Sequence, residues 1–229
     1  MKQLMKQLNT LSGLAMLLLL FAGTTTAQEL DTIVPHKEFP DEYIQVTHDR
    51  AHSFVKEMEL NNAEIERVTE IVARQYRDLS AIQDTRDARI ERIENEFEDQ
   101  DTIKQASREV RIKADMREDA LHRQFIAKLT AEITPEQVNQ VKDGMTYNVV
   151  PITYNRYTEL LPELTDQQKV QIKSWLLEAR EYAMDAGSSD QKHHIFNDYK
   201  GKINNYVSSQ GYNLAEAEEK LENKNMGTR

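Results

Sequence analysis

The chain has 229 residues, 29 of them Lys or Arg against 39 Asp or Glu, with no cysteine and a net charge of −10. That acidity argues against nucleic acid and anionic membrane as partners, because both are bound through a net basic face. The lack of Cys excludes disulfides, thiol catalysis and a lipoprotein anchor.

Residues 1–27 read as a secretory signal peptide. Lys2 and Lys6 supply the positive start, Leu14 to Ala22 the apolar run, and Thr25 and Ala27 the small residues before an expected cut at Gln28. Cleavage removes two lysines and no acid, leaving 27 basic against 39 acidic residues, or −12. The apolar run is shorter than the roughly 20 residues a bilayer span needs, and no comparable run follows. The mature chain is therefore expected in the periplasm or outside the cell, without membrane insertion.

Residues 28–40, with Pro35 and Pro40, read as an N-terminal strap. From Asp41 to Thr134 there is neither Gly nor Pro, and Glu, Arg, Lys, Ala and Gln dominate, which favours helix. Ile44, Thr47, Ala51, Phe54 and Met58 mark the inner stripe of a first helix. Asn61 and Glu64 form a capping box for a second, whose stripe runs from Ile65 through Val68, Val72, Tyr76, Leu79 and Ile82 to Ile90, Ile93 and Phe97. At 1.5 Å per residue that helix is on the order of 50 Å long. The acidic patch Glu98–Asp101 is the expected turn, and Ile103, Val110, Ala114, Leu121, Phe125 and Leu129 stripe the return helix. The region 41–143 is thus a long antiparallel hairpin with charges on its wet face, where Glu109 with Lys113 and Asp119 with Arg123 have the favourable acid-first spacing.

Residues 144–212 read as a compact C-terminal helical bundle. Thr134-Pro135-Glu136-Gln137 opens a short helix ending at Gly144, and Thr165 with Gln168 opens another that stops at Gly187. Met145 to Leu161 reads as a packed loop with a short helix. Ser188 and Ser189 start a helix with Phe196, Tyr199, Ile203 and Tyr206 on one face, ended by Gly211. Residues 213–229 give a short helix capped by Asn213 and Glu216, then a tail expected to fray from Asn225. The fold class is all-α.

The Thr-x-x-Gln starts after Ile133 and Leu164 resemble the Leu-Thr-x-x-Gln motif of the Spy/CpxP periplasmic chaperones, over residues 59–143. The start at Asn61 lacks both Thr and Gln, and a chain at −12 has little with which to build those chaperones' basic concave face. A second resemblance spans nearly the whole mature chain. The blocks 143–151, 178–189 and 200–206 look like signatures of the bacterial family called domain of unknown function 3826. That resemblance implies an exported protein found beside polysaccharide breakdown, and no mechanism.

Several residue groups suggest chemistry. His48 and His52 stand one helical turn apart, as in helical zinc sites, but no third ligand is identifiable. His193 and His194 diverge on a helix, so at most one can join Asp190 or Asp198. Glu178 and Glu181 flank Arg180 but have the spacing of ordinary surface neighbours rather than a paired-carboxylate site. Neither a metal nor another cofactor is expected. Tyr147, Tyr154 and Tyr157 fall in chain read as irregular, where binding residues concentrate, and flat aromatic faces suit sugar rings or peptide. Lys200, Lys202, Asn204 and Asn205 surround Gly201 and offer hydrogen bonds to a sugar, while Gly201 itself suggests a close helix approach or a ligand. The leading expectation is a non-enzymatic binding or accessory protein of polysaccharide utilisation. A chaperone binding unfolded polypeptide along the hairpin and an unrecognised carbohydrate-active enzyme are the alternatives.

Overall fold

A computed structural model describes residues 33–226, with side chains described as far as Asn223. The residues read as a signal peptide and the first residues of the strap lie outside the described residues. Eight α-helices and no strand occur among those described. They are α1 (Asp41–Val55), α2 (Asn62–Glu96), α3 (Gln100–Glu132), α4 (Pro135–Met145), α5 (Val149–Leu160), α6 (Asp166–Met184), α7 (Ser189–Ser209) and α8 (Leu214–Met226). The all-α expectation holds.

Local chemistry starts most of these helices. The Asn61 side chain accepts from the Glu64 N–H while the Glu64 carboxylate accepts from the Asn61 N–H, and Thr134/Gln137 and Thr165/Gln168 close the same reciprocal box. Gln137 also donates to the Glu59 carbonyl at 2.9 Å, tying the start of α4 to the end of the α1–α2 connection. Ser188 caps α7 and Asn213 caps α8. The acid-first pairs Glu109–Lys113 and Asp119–Arg123 do not close into ion pairs; Arg74–Asp78 and Lys220–Glu216 do.

The antiparallel arms α2 and α3 turn at Phe97 to Asp99, where Asp99 accepts from the Thr102 N–H and hydroxyl. Near the open end of the hairpin, α1 and α4 close a first core around Val55, Val68, Val72, Phe125, Leu129 and Val141. Arg77, nearly buried, donates to Thr47 of α1 and to Glu70. In the middle, Ile33 and Val34 of the strap cover Leu79, Ile82, Ala114 and Leu121. Beyond Ile82 no described residue seals the seam: Ile90, Ile93, Ile103 and Val110 are half-buried and Phe97 is exposed. A second core joins α5, α6 and α7 through Leu160, Leu161, Ile172, Leu176, Phe196 and Ile203, and Leu214, Ala217 and Leu221 of α8 pack against it.

Three expectations change. First, α4 continues through Gly144 to Met145. The glycine serves a close approach there, since a β-carbon would stand 2.3 Å from the Phe54 ring. Second, the segment after it is mostly helix: α5 begins at Val149, and Pro151 sits in its first turn, where a missing N–H costs nothing. Third, Gly201 is not a close helix contact, because a β-carbon there would meet nothing within 4 Å.

Candidate functional site

The residues singled out from sequence separate into two groups. Tyr154 and Tyr157 lie on helix α5, not in irregular chain. Tyr157 is 7% exposed, and its hydroxyl donates to Asn204 Oδ1 at 2.5 Å, so it clamps α5 to α7 from inside the second core. Its burial pushes the phenol up to about 12. Lys202 lies over the rings of Trp175 (4.7 Å) and Tyr199 (5.3 Å), and Lys173 over Tyr154 (5.7 Å). Lys200 contributes its backbone carbonyl to the Tyr157 hydroxyl at 3.4 Å, and Asn205 is exposed. Tyr154, Tyr157, Lys202 and Asn204 are thus engaged in contacts among α5, α6 and α7.

Tyr147 belongs elsewhere. It and Asn148 form the turn between α4 and α5, both in the left-handed region with φ of 58° and 55°. Non-glycine residues there carry strain that the surroundings must hold in place. The Tyr147 ring stacks on His193 at 5.7 Å. Its other neighbours form a cleft of about 240 Å³ between the hairpin and the start of α7. Tyr43 and Arg50 of α1, Tyr76, Ser80 and Asp84 of α2, and Ser188, Ser189 and Lys192 line it with Tyr147.

A polar junction beneath positions this cleft. His122 of α3 meets the Asp185 carboxylate at 2.6 Å, and Gln83 of α2 donates to the Asp185 carbonyl at 3.1 Å. Lys142 of α4 reaches Glu181 at 2.6 Å. Arg180, 3% exposed, donates to Asp143 at 2.8 Å and to the Asn139 side chain at 2.6 Å. Three helices, α2, α3 and α4, are thereby tied to the end of α6, and α7 starts directly beyond it. The hydrogen bond to Asp185 raises the His122 pKa against the opposing cost of burial, and the Asp185 and Glu181 charges add to the rise.

Within the cleft, Lys192 is 7% exposed, and its ammonium donates to the carbonyls of Met145 (3.1 Å) and Met184 (3.4 Å). Burial brings its pKa down to about 8, with the Asp185 charge opposing that fall and the Arg50 charge adding to it. The Tyr76 ring has Arg50 at 5.4 Å and Lys192 at 5.9 Å. Burial raises the Tyr76 phenol, Arg50 opposes the rise, and the Tyr147 phenol adds to it. Two cations and two phenols thus converge on one small space.

Sequence reading reached Tyr147 but missed Arg50, Tyr76 and Lys192. Arg50 lies between His48 and His52, whose rings stack at 6.1 Å, and Lys192 lies one residue before His193. The histidines drew attention as metal ligands while the cations beside them face the cleft. No group of three or more His, Asp or Glu in metal-binding geometry occurs among the described residues.

A larger groove of about 470 Å³ runs between the outer arms of the hairpin. Arg86, Arg89, Arg92, Lys113 and Arg117 line it with Ile93, Phe97 and Val110, against only Glu96 and Glu109. A basic strip therefore exists on this acidic chain, which net charge alone did not suggest.

No curated protein matches the chain. The model of the family described as "Protein of unknown function (DUF3826)" matches residues 44–226, from inside α1 to the end of α8 and so across every helix that lines the cleft, and the chain belongs to that family.

Proposed function

We propose that the protein is an exported, non-enzymatic binding protein serving polysaccharide utilisation, and that its ligand occupies the cleft beside Tyr147. The observation that carries this reading is the strained, half-exposed Tyr147 at the mouth of a cleft whose floor is a buried lysine. Backbone strain persists where the surroundings over-determine it, and it concentrates at ligand clamps. An aromatic face beside several hydrogen-bond donors suits a sugar ring, apolar on its faces and polar at its rim. The test is a thermal-shift and calorimetric screen of short oligosaccharides against the signal-free protein and Tyr147→Ala. Binding that weakens about tenfold or more in the variant, with the fold retained, is expected. Binding equal in both proteins overturns the site.

A second reading is supported by the basic, partly apolar groove between the hairpin arms. Ile112 and Met116 are also exposed on α3, at 47% and 66%. Such a strip suits an unfolded polypeptide, as in the chaperones that residues 59–143 resemble. Suppression of client aggregation beyond that of an inert acidic helical protein, lost on Arg89→Glu with Arg92→Glu, supports it. No suppression at equimolar ratio removes it.

A further inference from the structure

Lys192 is nine-tenths buried, yet among the described residues its ammonium meets only backbone carbonyls and no carboxylate at ion-pair distance. Burying a charge without an opposite partner is costly, so the site is incomplete as it stands. Among the described residues Arg50 has no carboxylate partner either, and its guanidinium lies over the same Tyr76 ring. Asp84, the one carboxylate among the described residues that line the cleft, is engaged by Lys37 and by the Ser80 hydroxyl at 2.9 Å. Asp185 acts on Lys192 from nearby but holds His122. The cleft therefore carries a positive excess of less than two charges. The Tyr76 hydroxyl has no hydrogen-bond partner among the described residues and is free to donate. At about 240 Å³ the space falls below the roughly 300 Å³ lower bound for drug-sized ligands, which limits an occupant to about one ring or an end group.

We propose that the cleft takes the carboxylate of a sugar acid, held between Lys192 and Arg50 with the Tyr76 hydroxyl donating and the ring lying against Tyr147. This rests on the cleft being the binding site and adds the class of ligand. One negative charge matches the partial excess described above, and the two carboxylate oxygens divide between ammonium and guanidinium. The entrance to α7, capped by Ser188, adds the positive end of a 21-residue helix on the same side.

The experiment compares glucuronate, glucose, acetate and inorganic phosphate as ligands of the signal-free protein, by thermal shift and by NMR titration of the Lys192 ammonium. Glucuronate is expected to stabilise the protein and raise the Lys192 titration point, with glucose far weaker. Lys192→Met and Arg50→Gln should each weaken glucuronate about ten- to hundredfold, the worth of a charge-assisted hydrogen bond. Arg50 is exposed, so its variant folds even if removal of Lys192 disturbs the core. Glucose binding as tightly as glucuronate and unaffected by either variant overturns the carboxylate while keeping the cleft as a sugar site. Phosphate binding more tightly than glucuronate also overturns the carboxylate, in favour of a phosphorylated ligand. Acetate raising the Lys192 titration point while neither sugar binds keeps the carboxylate site and removes the sugar. No response to any of the four overturns both.

Discussion

Tyr147 pairs a costly backbone with an exposed ring, which is the arrangement expected of a residue held for contact rather than for packing. Its left-handed φ of 58° costs on the order of 1 kcal/mol or more for a bulky side chain. Asn tolerates that region well. Tyr147→Asn should leave the urea midpoint unchanged or raise stability by up to about 1 kcal/mol, while weakening ligand binding. A large loss of stability would show that stacking on His193 is the residue's main role. His122 carries a different signature, because its pKa is raised above the ordinary 6.5 by Asp185. Its contribution to stability is fully present below about pH 6.5 and is lost as pH rises through the higher folded value. The stability gap between the wild type and His122→Gln should narrow between pH 6 and pH 9, and a constant gap would mean the ion pair is idle. Lys192 works with the opposite sign. Its burial penalty is fully present below about 8 and is relieved as pH rises toward the ordinary 10.5. Only the difference between wild type and variant therefore isolates His122, whose other charged neighbours are Glu181 and Lys142.

At the scale of elements, two glycines inside helices make opposite predictions. Gly144 is pressed against the Phe54 ring, so Gly144→Ala should destabilise by about 1–3 kcal/mol as α1 and α4 are forced apart. Gly201 faces open space within α7, so Gly201→Ala should stabilise by about 0.5–1 kcal/mol through helix propensity. Denaturant melts of the two variants check both signs. Helix starts were legible in sequence because they are local: Asn61, Thr134 and Thr165 each carry their partner three residues on. Helix α5 was less legible, since Pro151 reads as a breaker until its place in the first turn is known. Tyr157 could not be sorted from Tyr147 for a similar reason. Burial against Asn204 depends on α7, some 47 residues away in sequence.

For the whole molecule, two cores are joined by a charged seam, and the cleft lies at that joint. The seam is built from Gln83, His122, Lys142, Arg180 and Asp185, drawn from α2, α3, α4 and the end of α6. None of these is close in sequence to more than one or two of the others, which is why composition and periodicity revealed the helices and not the site. Lys192 shows the limit most clearly, because a lysine near a helix start reads as solvated until α2 and the 145–147 turn close over it. The outer hairpin has the reverse character. Its apolar stripe is thin beyond Ile82, and the described arms leave Phe97, Ile112 and Met116 exposed.

The most direct test of the cleft as the working site is hydrogen exchange, measured with and without saturating glucuronate. The turn at Thr146–Asn148 and the connection at Ala186–Ser188 lie between helices, so their amides report on the cleft. Slower exchange at these two segments, with residues 86–117 unchanged, is the predicted result. Slowing confined to residues 86–117, or no change anywhere, would contradict the account.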